Sequence, residues 1–229
     1  VANDTVTVQK GATTGSFTLK AASGNIKTPL TVNVVTIAFT GQDTAVSAVD
    51  SPIYGMTWGE IIKVNDSAIS AKVGETQVEG TYSVENADTI PDAGNSVEYR
   101  VIFTSNNGNY VGVEVARGTV EIAQKPVTVS GITASNKVYD GNTSATIETS
   151  GAAISDIVGN DDVTIDVANA TGTFDTKNVG TGKTVTIIDI TLGGNDAGNY
   201  TLSSDSATAT ADITAKTVTV SGITASNKV

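Results

Sequence analysis

Short runs in which apolar and polar residues alternate cover most of this chain. In the run TYSVE, Tyr82 and Val84 fall on one side of the chain, and in ATATADIT, Ala209, Ala211 and Ile213 do the same. A period of two is typical of a half-buried β-strand. Gly, Asn and Asp interrupt these runs roughly every eight to twelve residues, which predicts an all-β fold made of Ig-like β-sandwich modules.

Two segments depart from this simple alternation. In KTVTIIDITL the apolar positions change phase at Ile187 and Ile188, which predicts a β-bulge or a strand that passes from one sheet to another. The segment GMTWGEIIKV, residues 55–64, is the one place where the pattern allows a helical turn or two. A β-grasp-like module built around that short helix is therefore the alternative fold.

Internal repetition divides the chain. The twelve residues VTVSGITASNKV occur at Val127–Val138 and again at Val218–Val229, and two Gly-Asn-Tyr motifs place Tyr110 and Tyr200 90 residues apart. A second tyrosine motif, IYG at 53–55 and VYDG at 138–141, precedes each Gly-Asn-Tyr. A fixed period of this kind is the signature of a repeat architecture. We predict two tandem modules, at residues 36–125 and 126–216.

The flanking residues fit the same scheme. Residues 1–35 contain the strand-like runs VTVQ, SFTLKAASG and PLTVNVV, which we interpret as the closing strands of a preceding Ig-like module. Residues 217–229 would be the first strand of a further repeat. Its final residues, Thr224–Val229, are expected to be poorly ordered unless a neighbouring chain completes their sheet. Because almost no linker separates the modules, we expect a monomeric, stiff and elongated array whose partners are the neighbouring modules of the same chain.

Charge and composition narrow the classes of function. With 13 Lys and Arg against 24 Asp and Glu, the net charge is −11, which repels phosphate backbones and anionic lipid, so nucleic acid is not an expected partner. No run approaches the ~18 apolar residues of a membrane span, so no membrane insertion is expected. The chain has no Cys and no His, which removes disulfides, thiolate chemistry and the commonest general base.

An acidic turn is the candidate metal site. The stretch GNDDVTID brings Asn160, Asp161, Asp162 and Asp166 close together in sequence. Clustered carboxylate, amide and backbone oxygens suit calcium, which takes six or more oxygen ligands. No regular DxDxDG loop is present, so a solvated acidic turn is the competing interpretation. Calcium is the one cofactor considered.

Aromatic and glycine positions supply the remaining candidates. Trp58, the single tryptophan, is either a sugar-stacking ligand contact or the aromatic anchor of a core. The motif tyrosines are expected to bury their rings and to tie loops to the backbone through their hydroxyls, as a tyrosine corner does. The structural motif residues are Tyr54, Gly55, Tyr110, Tyr139, Asp140, Gly141 and Tyr200.

Several of these motifs resemble those of a known family. NKVYDGNTSATI, FDTKNVGTGKTVTI, LGGNDAGNYTL and ATADITAK occur in order and resemble the YDG-type repeat of large bacterial surface proteins and adhesins, over residues 127–216. The upstream motifs YGMTW, VEGTY, PDAGNSVEYRVIFTSNNGNY and VEIAQK resemble the related YG-type module of the MBG group, with Ser105 where that family usually has Pro. Residues 1–35 resemble the end of a bacterial Ig-like domain.

The resemblance implies a mechanical function. Such modules are strung into stalks, so we expect a non-catalytic spacer of an extracellular bacterial adhesin, on the cell surface or secreted, with no family catalytic residues to carry over. The alternative is a module that binds a host or environmental glycan or protein, through Trp58 and nearby loops. A glycoside-active enzyme fragment is a distant third, because two carboxylates suffice for that chemistry but need a cleft.

Overall fold

The structure is a computed structural model that describes residues 15–19, 30–34 and 37–228, with only backbone pairing considered for the first two ranges. Nearly all of its regular structure is β-strand, so the all-β prediction is confirmed. The described residues divide into two compact units. The N-terminal unit holds the described residues up to Asp50 together with Met56–Thr89 and Glu98–Val120, and the C-terminal unit holds Ser51–Gly55, Ile90–Val97 and the residues from Glu121 onward.

Ten strands precede Lys125 in the described residues. They are β1 (Gly15–Leu19), β2 (Leu30–Val34), β3 (Ala38–Thr40), β4 (Val46–Ala48), β5 (Ile62–Val64), β6 (Ser70–Val73), β7 (Thr76–Gln77), β8 (Gly80–Val84), β9 (Gly94–Ser105) and β10 (Val113–Ile122). Strands β1 and β2 form an antiparallel pair, as do β4 and β5, while β3, β6 and β7 form one three-stranded sheet and β8, β9 and β10 another. Strands β9 and β10 contribute residues to both units.

The remaining strands belong to the C-terminal unit. They are β11 (Lys125–Val127), β12 (Val129–Ser130), β13 (Thr133–Ala134), β14 (Lys137–Val138), β15 (Ser144–Ala145), β16 (Ile147–Glu148), β17 (Ala153–Ile154), β18 (Thr164–Asp166), β19 (Thr171–Phe174), β20 (Gly180–Ile188), β21 (Thr191–Gly193), β22 (Tyr200–Leu202) and β23 (Ala207–Thr214). A five-stranded sheet runs in the order β14-β23-β20-β19-β15, with β14 parallel to β23. Strand β11 lies parallel to β22, and β12–β17, β13–β16 and β18–β21 are antiparallel pairs.

Helical structure is short. The described residues contain α1 (Gln42–Ala45), α2 (Trp58–Ile61) and the 3₁₀ turns Asp66–Ala68 and Ala197–Asn199. Helix α2 lies inside the segment where the sequence allows a helical turn, and a capping box between Thr57 and Glu60 begins it. Helix α1 is not apparent in the hydrophobic pattern. No helix in the described part of the chain has the length and apolar character needed to cross a bilayer.

Each unit has its own apolar cluster. In the N-terminal unit Ile37, Ala71 and Phe103 are buried, and the Phe103 ring lies 5.0 Å from that of Tyr82. The largest cluster of the C-terminal unit lies on the five-stranded sheet and its surroundings. Its buried members are Ile132, Phe174, Val185, Ile187, Ile190, Ala211 and Ile213. A second cluster in that unit is built on Tyr54, Val127 and Tyr200.

Of the two explanations for the phase change at Ile187 and Ile188, the structure agrees with a passage between sheets, because β20 lies in the five-stranded sheet and β21 pairs with β18. Strand β20 ends at Ile188, and Asp189 then adopts a positive φ of 61°. The left-handed conformation of Asp189 changes which side of the chain faces the core, so the buried side chain after Ile187 is Ile190 and not residue 189. The register irregularity of β20 lies at its other end, between Gly180 and Lys183.

The two copies of VTVSGITASNKV differ in structure. The first contributes to β11 and forms β12, β13 and β14, whereas residues 215–228 contain no helix or strand and are exposed. Val229 lies outside the described residues, as do the run VTVQ and most of the predicted N-terminal flank. The expected poor order of Thr224–Val229 stays a prediction.

Candidate functional site

Two buried tyrosines share one carboxylate oxygen in the C-terminal unit. The Tyr54 hydroxyl donates a hydrogen bond to Asp161 Oδ2 at 2.7 Å, and the Tyr200 hydroxyl donates to the same oxygen at 2.5 Å. The Tyr200 oxygen in turn accepts from the Val158 backbone N–H at 2.9 Å. The two rings meet edge to face, with centroids 5.3 Å apart and planes at 75°, an arrangement that aromatic pairs favour.

Backbone pairing fixes both rings. Ile53 and Ala123 form a parallel bridge, the Tyr54 N–H donates to the Ala123 carbonyl at 2.9 Å, and the Ala123 N–H donates to Pro52 at 2.9 Å. Tyr200 opens β22, which pairs in parallel with β11 so that Tyr200 lies opposite Lys125. The positions of both tyrosines therefore depend on Ala123, in the β10–β11 connection, and on Lys125, directly after it.

Glycine is required directly after Tyr54. Gly55 has a φ of 102°, a conformation that residues with a side chain rarely adopt. A Cβ at this position would also lie 3.2 Å from Cγ2 of Val158. In the Tyr-Gly motif, the Tyr54 ring packs in the cluster with Val127 and Tyr200, and Gly55 allows the backbone to turn beside Val158.

Burial keeps both phenols protonated. Removal from water raises the pKa of the Tyr54 hydroxyl far above its ordinary value, and the hydrogen bond to the Asp161 carboxylate raises it further. The pKa of Tyr200 is raised for the same two reasons, against a smaller opposing effect of the Val158 N–H. At neutral pH both hydroxyls are therefore hydrogen-bond donors to Asp161.

Asn199 makes a second polar tie beside this pair. It is 7% exposed, and its Oδ1 accepts from the Ala93 N–H at 2.9 Å while its Nδ2 donates to Asp92 Oδ1 at 3.0 Å. Gln124 adds a third contact, since its Nε2 donates to the Gly198 carbonyl at 2.8 Å. The Gly-Asn-Tyr motif at 198–200 is consequently bound by residues from three earlier segments of the chain.

This arrangement is suited to holding segments together. Tyr54 and Asp161 are 107 residues apart, as are Asp92 and Asn199. Hydrogen bonds to a charged acceptor contribute more than neutral ones, and a buried network loses stability when one member is removed. We therefore describe Tyr54, Asp161, Asn199 and Tyr200, with their backbone partners, as the tyrosine latch.

The four candidate calcium ligands are used in different ways. Asp161 belongs to the tyrosine latch, whereas Asp162 Oδ2 accepts from the Asn195 side chain at 2.9 Å. Asp166 Oδ1 accepts from the Ala168 N–H at 2.8 Å, and Asn160 is exposed. Among the described residues no group of three or more acidic side chains is positioned to hold a metal ion.

Trp58 lies in the N-terminal unit, at the start of α2. Its side chain is partly exposed, and its ring centroid lies 6.4 Å from that of Tyr99 with the planes at 53°. The backbone N–H of Trp58 donates to the Thr89 carbonyl at 2.9 Å, which fixes the start of the helix. The indole is thus partly packed and partly available, and both interpretations of Trp58 stay open.

The other motif tyrosines lie elsewhere. Tyr110 packs against the buried cluster of the N-terminal unit, beside an open groove of about 510 Å³. Tyr139 is partly buried against the large cluster of the C-terminal unit, and its N–H donates to the Thr214 carbonyl at 2.8 Å. Gly141 turns with a φ of 84° in open space.

Lys137 organises the loop that carries Asp140. Its ammonium contacts Asp140 Oδ1, Asn142 Oδ1 and the Ser144 carbonyl, each at 2.9 Å, and lies 5.6 Å from the centre of the Phe174 ring. The hydrogen bond from Lys137 holds the pKa of Asp140 below its usual range. This ion pair shapes the Tyr-Asp-Gly-Asn loop.

Three residues of these networks are not evident from sequence reasoning. Asp92 and Asn199 act through partners that only the fold brings close, whereas the polar partners of Lys137 lie three to seven residues further along the chain. The second Gly-Asn-Tyr motif pointed to the vicinity of Asn199. Asp161 was recognisable as a conspicuous acidic residue, but nothing in its local sequence indicates two tyrosine donors.

Comparison with known proteins identifies one part of the chain. Residues 123–211 match the family described as the YDG domain. The chain therefore contains a YDG domain, which includes the second half of the tyrosine latch and the Tyr139–Gly141 motif. No curated protein and no solved structure matches the chain.

Proposed function

We propose that this chain is a non-catalytic segment of a tandem array, serving as a stalk or spacer in an extracellular bacterial adhesin. Its modules would be the upstream YG-type MBG module and the YDG domain, with residues 1–35 closing a preceding Ig-like module. Residues 217–229 would open the next repeat. The array would stand on the cell surface or on a secreted protein and would hold another region away from the cell.

A repeated series of backbone pairings carries this proposal. In the first stretch β3 pairs with β6, β4 with β5, and β8 with β9; in the second, β12 pairs with β17, β13 with β16, and β19 with β20. All six pairs are antiparallel and occur in the same order along the chain. A shared order of pairings supports two copies of one type of module.

Corresponding residues make corresponding contacts. The Tyr54 N–H donates to the Ala123 carbonyl, and the Tyr139 N–H donates to the Thr214 carbonyl. Gly41 and Gly131 have φ values of 84° and 74°, and a Cβ on either would collide with a backbone carbonyl, of Ala68 or of Gly151. These equivalences fall at offsets of about 83 to 91 residues, close to the sequence period.

The connection after β10 is short, as the proposed tandem array requires. Two residues, Ala123 and Gln124, separate β10 from β11, and both hydrogen-bond within the C-terminal unit. Pro126 follows and has a fixed φ. In repeat arrays, stability and length increase with the number of modules.

Small-angle scattering of chains of increasing length tests the spacer. Because Val218–Val229 repeats Val127–Val138, adding residues 139–216 after Val229 completes one more YDG module; we call this product the extended chain. Each further copy should fold and should lengthen the maximum dimension by a constant increment. A compact particle, freely hinged modules or an added copy that fails to fold would contradict the proposal.

A binding module is the second candidate, favoured by the groove beside Tyr110. The groove lies in the N-terminal unit, and several amide side chains, which can hydrogen-bond to sugar hydroxyls, line it: Gln77, Asn106, Asn107 and Asn109. A glycan array would test this function with Asn109→Ala at the groove and Trp58→Ala at the indole. Asn195→Ala, in the C-terminal unit, is the control. Specific binding lost in either of the first two variants would favour recognition over a purely mechanical stalk.

A further inference from the structure

The Gly-Asn-Tyr motif of the YDG domain is covered by a defined set of upstream residues. Tyr54 packs on Tyr200, the Ala93 N–H binds the Asn199 side chain, and Gln124 binds the Gly198 carbonyl. Tyr54 directly follows Ile53, which forms a parallel bridge with Ala123. Ala93 directly precedes the first residue of β9. All of these residues lie within the C-terminal unit.

The YDG domain carries the corresponding positions at the end of its own five-stranded sheet. Val138 pairs in parallel with Thr214 of β23, as Ile53 does with Ala123. On the other side of β23, Gly180 of β20 pairs with Ile213. Because β20 and β23 are antiparallel, Val179, the residue before Gly180, lies beside Thr214. Val138, Tyr139 and Val179 therefore correspond to Ile53, Tyr54 and Ala93; we call them the end surface.

The end surface is apolar and open to solvent. Val138 is 55% exposed and Val179 is 54% exposed, although each belongs to or adjoins a strand of the central sheet. Ala93 and Tyr54, at the corresponding positions, pack in the cluster around Tyr200. Burial of two valine side chains and the remaining face of a tyrosine would supply a favourable apolar contribution to docking.

We propose that the end surface binds the Gly-Asn-Tyr loop of a further YDG module. The proposal rests on the proposed function, since it assumes that repeats follow one another. The Val179 N–H would donate to the side chain of the incoming asparagine, as Ala93 does to Asn199. The Tyr139 hydroxyl would join the incoming tyrosine on that module's counterpart of Asp161, which forms a second tyrosine latch.

The position of the second VTVSGITASNKV copy agrees with this partner. In the YDG domain, Lys125–Val127 pairs in parallel with Tyr200–Leu202, which places the Gly-Asn-Tyr motif beside the segment that follows β10. Lys216–Val218 follows β23 in the same way and has the same sequence except for Thr217 in place of Pro126. A module that begins at Lys216 would thus bring its own Gly-Asn-Tyr motif to the end surface.

Cysteine labelling in the extended chain tests the docking directly. The natural chain has no cysteine, so Val179→Cys introduces a single thiol of similar apolar character. We expect maleimide to modify this thiol at least about tenfold more slowly in the extended chain than in the original chain, because docking removes it from solvent. Val111→Cys, in the N-terminal unit and 70% exposed at the native residue, should react equally in both.

A second substitution checks that the end surface causes the protection. In the extended chain, Val138→Asp should restore fast labelling at position 179, because a charge would be buried in the contact. Val111→Asp should leave the labelling slow. Since Val138 is exposed in the original chain, Val138→Asp should leave the free energy of unfolding of the original chain unchanged.

Two results would overturn the docking proposal and can be told apart. If hydrogen exchange shows the added module folded while the thiol at position 179 reacts as fast as in the original chain, docking is wrong and the tandem array stands. If the added module shows no protected strands, both the docking and the array proposal are wrong.

Discussion

The same twelve residues have two structures in this protein. In Val127–Val138, Val127 is 1% exposed and Ile132 is 7% exposed, whereas Val218 and Ile223, their equivalents in the second copy, are 81% and 83% exposed. The local sequence, its β-propensity and its glycine turn are identical. The difference therefore comes from the strands available for pairing.

Distant partners account for the ordered copy. Strands β11, β12, β13 and β14 pair with β22, β17, β16 and β23, respectively, all of them later in the chain. The part of the chain that the structure describes offers no such strands to Val218–Lys228. Strand formation in this fold is thus a property of paired segments and cannot be assigned to one segment alone.

Substitution of the equivalent isoleucines is expected to give the largest difference in the free energy of unfolding between the two copies. Ile132→Ala should lower the free energy of unfolding by about 3 kcal/mol, because it removes three carbons from a buried cluster that includes Phe174 and Ile213. Ile223→Ala should change it by less than about 0.5 kcal/mol. Urea unfolding followed by circular dichroism measures both. Equal effects would show that the second copy is packed in solution.

The paired glycines should differ by a smaller amount. At Gly131 a Cβ would collide with the Gly151 carbonyl, and φ is 74°, so Gly131→Ala should cost about 2 kcal/mol. Gly222 has a similar φ of 77° but open space around it, and a free segment can relax to a negative φ. Gly222→Ala should therefore cost less than about 0.5 kcal/mol. Thermal unfolding of the two variants would measure this contrast, and a cost at Gly222 near that at Gly131 would contradict it.

Alkaline pH should weaken the cluster against which the first copy packs. Val127 lies with Tyr54 and Tyr200, whose folded-state pKa values are raised by burial. Unfolded tyrosine ionises near pH 10, so the stabilisation is fully present below about pH 10 and is lost as the pH rises from there toward the folded-state pKa. Both tyrosines should therefore make the folded state less stable at pH 11 than at pH 8, because the unfolded chain releases their protons first.

Unfolding measured between pH 8 and pH 11 would test this dependence. In the double variant Tyr54→Phe/Tyr200→Phe the free energy of unfolding should decline less steeply with pH than in the natural chain, because two titrating hydroxyls are absent. Some decline should remain, because the other tyrosines still titrate. After correction for the base-catalysed rise of intrinsic exchange, the hydrogen-exchange protection should fall around Val127 and should stay unchanged around Val218. An identical pH dependence in the double variant would contradict the assignment to this pair.

Alternation along single strands made the fold class predictable. Tyr82 and Val84 point inward in β8, and Ala211 and Ile213 are buried in β23, because a period of two directly encodes a half-buried strand. Sequence also located the helical turn at Trp58 and the change of direction after Ile187. It did not reveal α1, which is four residues long and lacks a side-chain N-cap.

The tyrosine latch was only partly predictable. The repeated Tyr-Gly and Gly-Asn-Tyr motifs indicated that Tyr54 and Tyr200 matter, because recurrence at a fixed period implies a shared structural role. That the two rings meet on Asp161 depends on pairings across more than 100 residues for Tyr54, and no local pattern encodes such a contact. For the same reason the sequence period does not reveal that Ser51–Gly55 and Ile90–Val97 belong to the C-terminal unit.

The smallest effect is expected at the one residue that distinguishes Lys125–Val138 from Lys216–Val229. Pro126→Thr makes the two fourteen-residue segments identical. Pro126 is exposed, and its rigidity acts mainly on the unfolded chain, so the substitution should cost about 0.5 kcal/mol. Urea unfolding measures the cost, with Thr217→Pro as the reciprocal variant. A loss of several kcal/mol, or new protected strands after Thr217→Pro, would mean that this proline and not the partner strands makes the two copies differ.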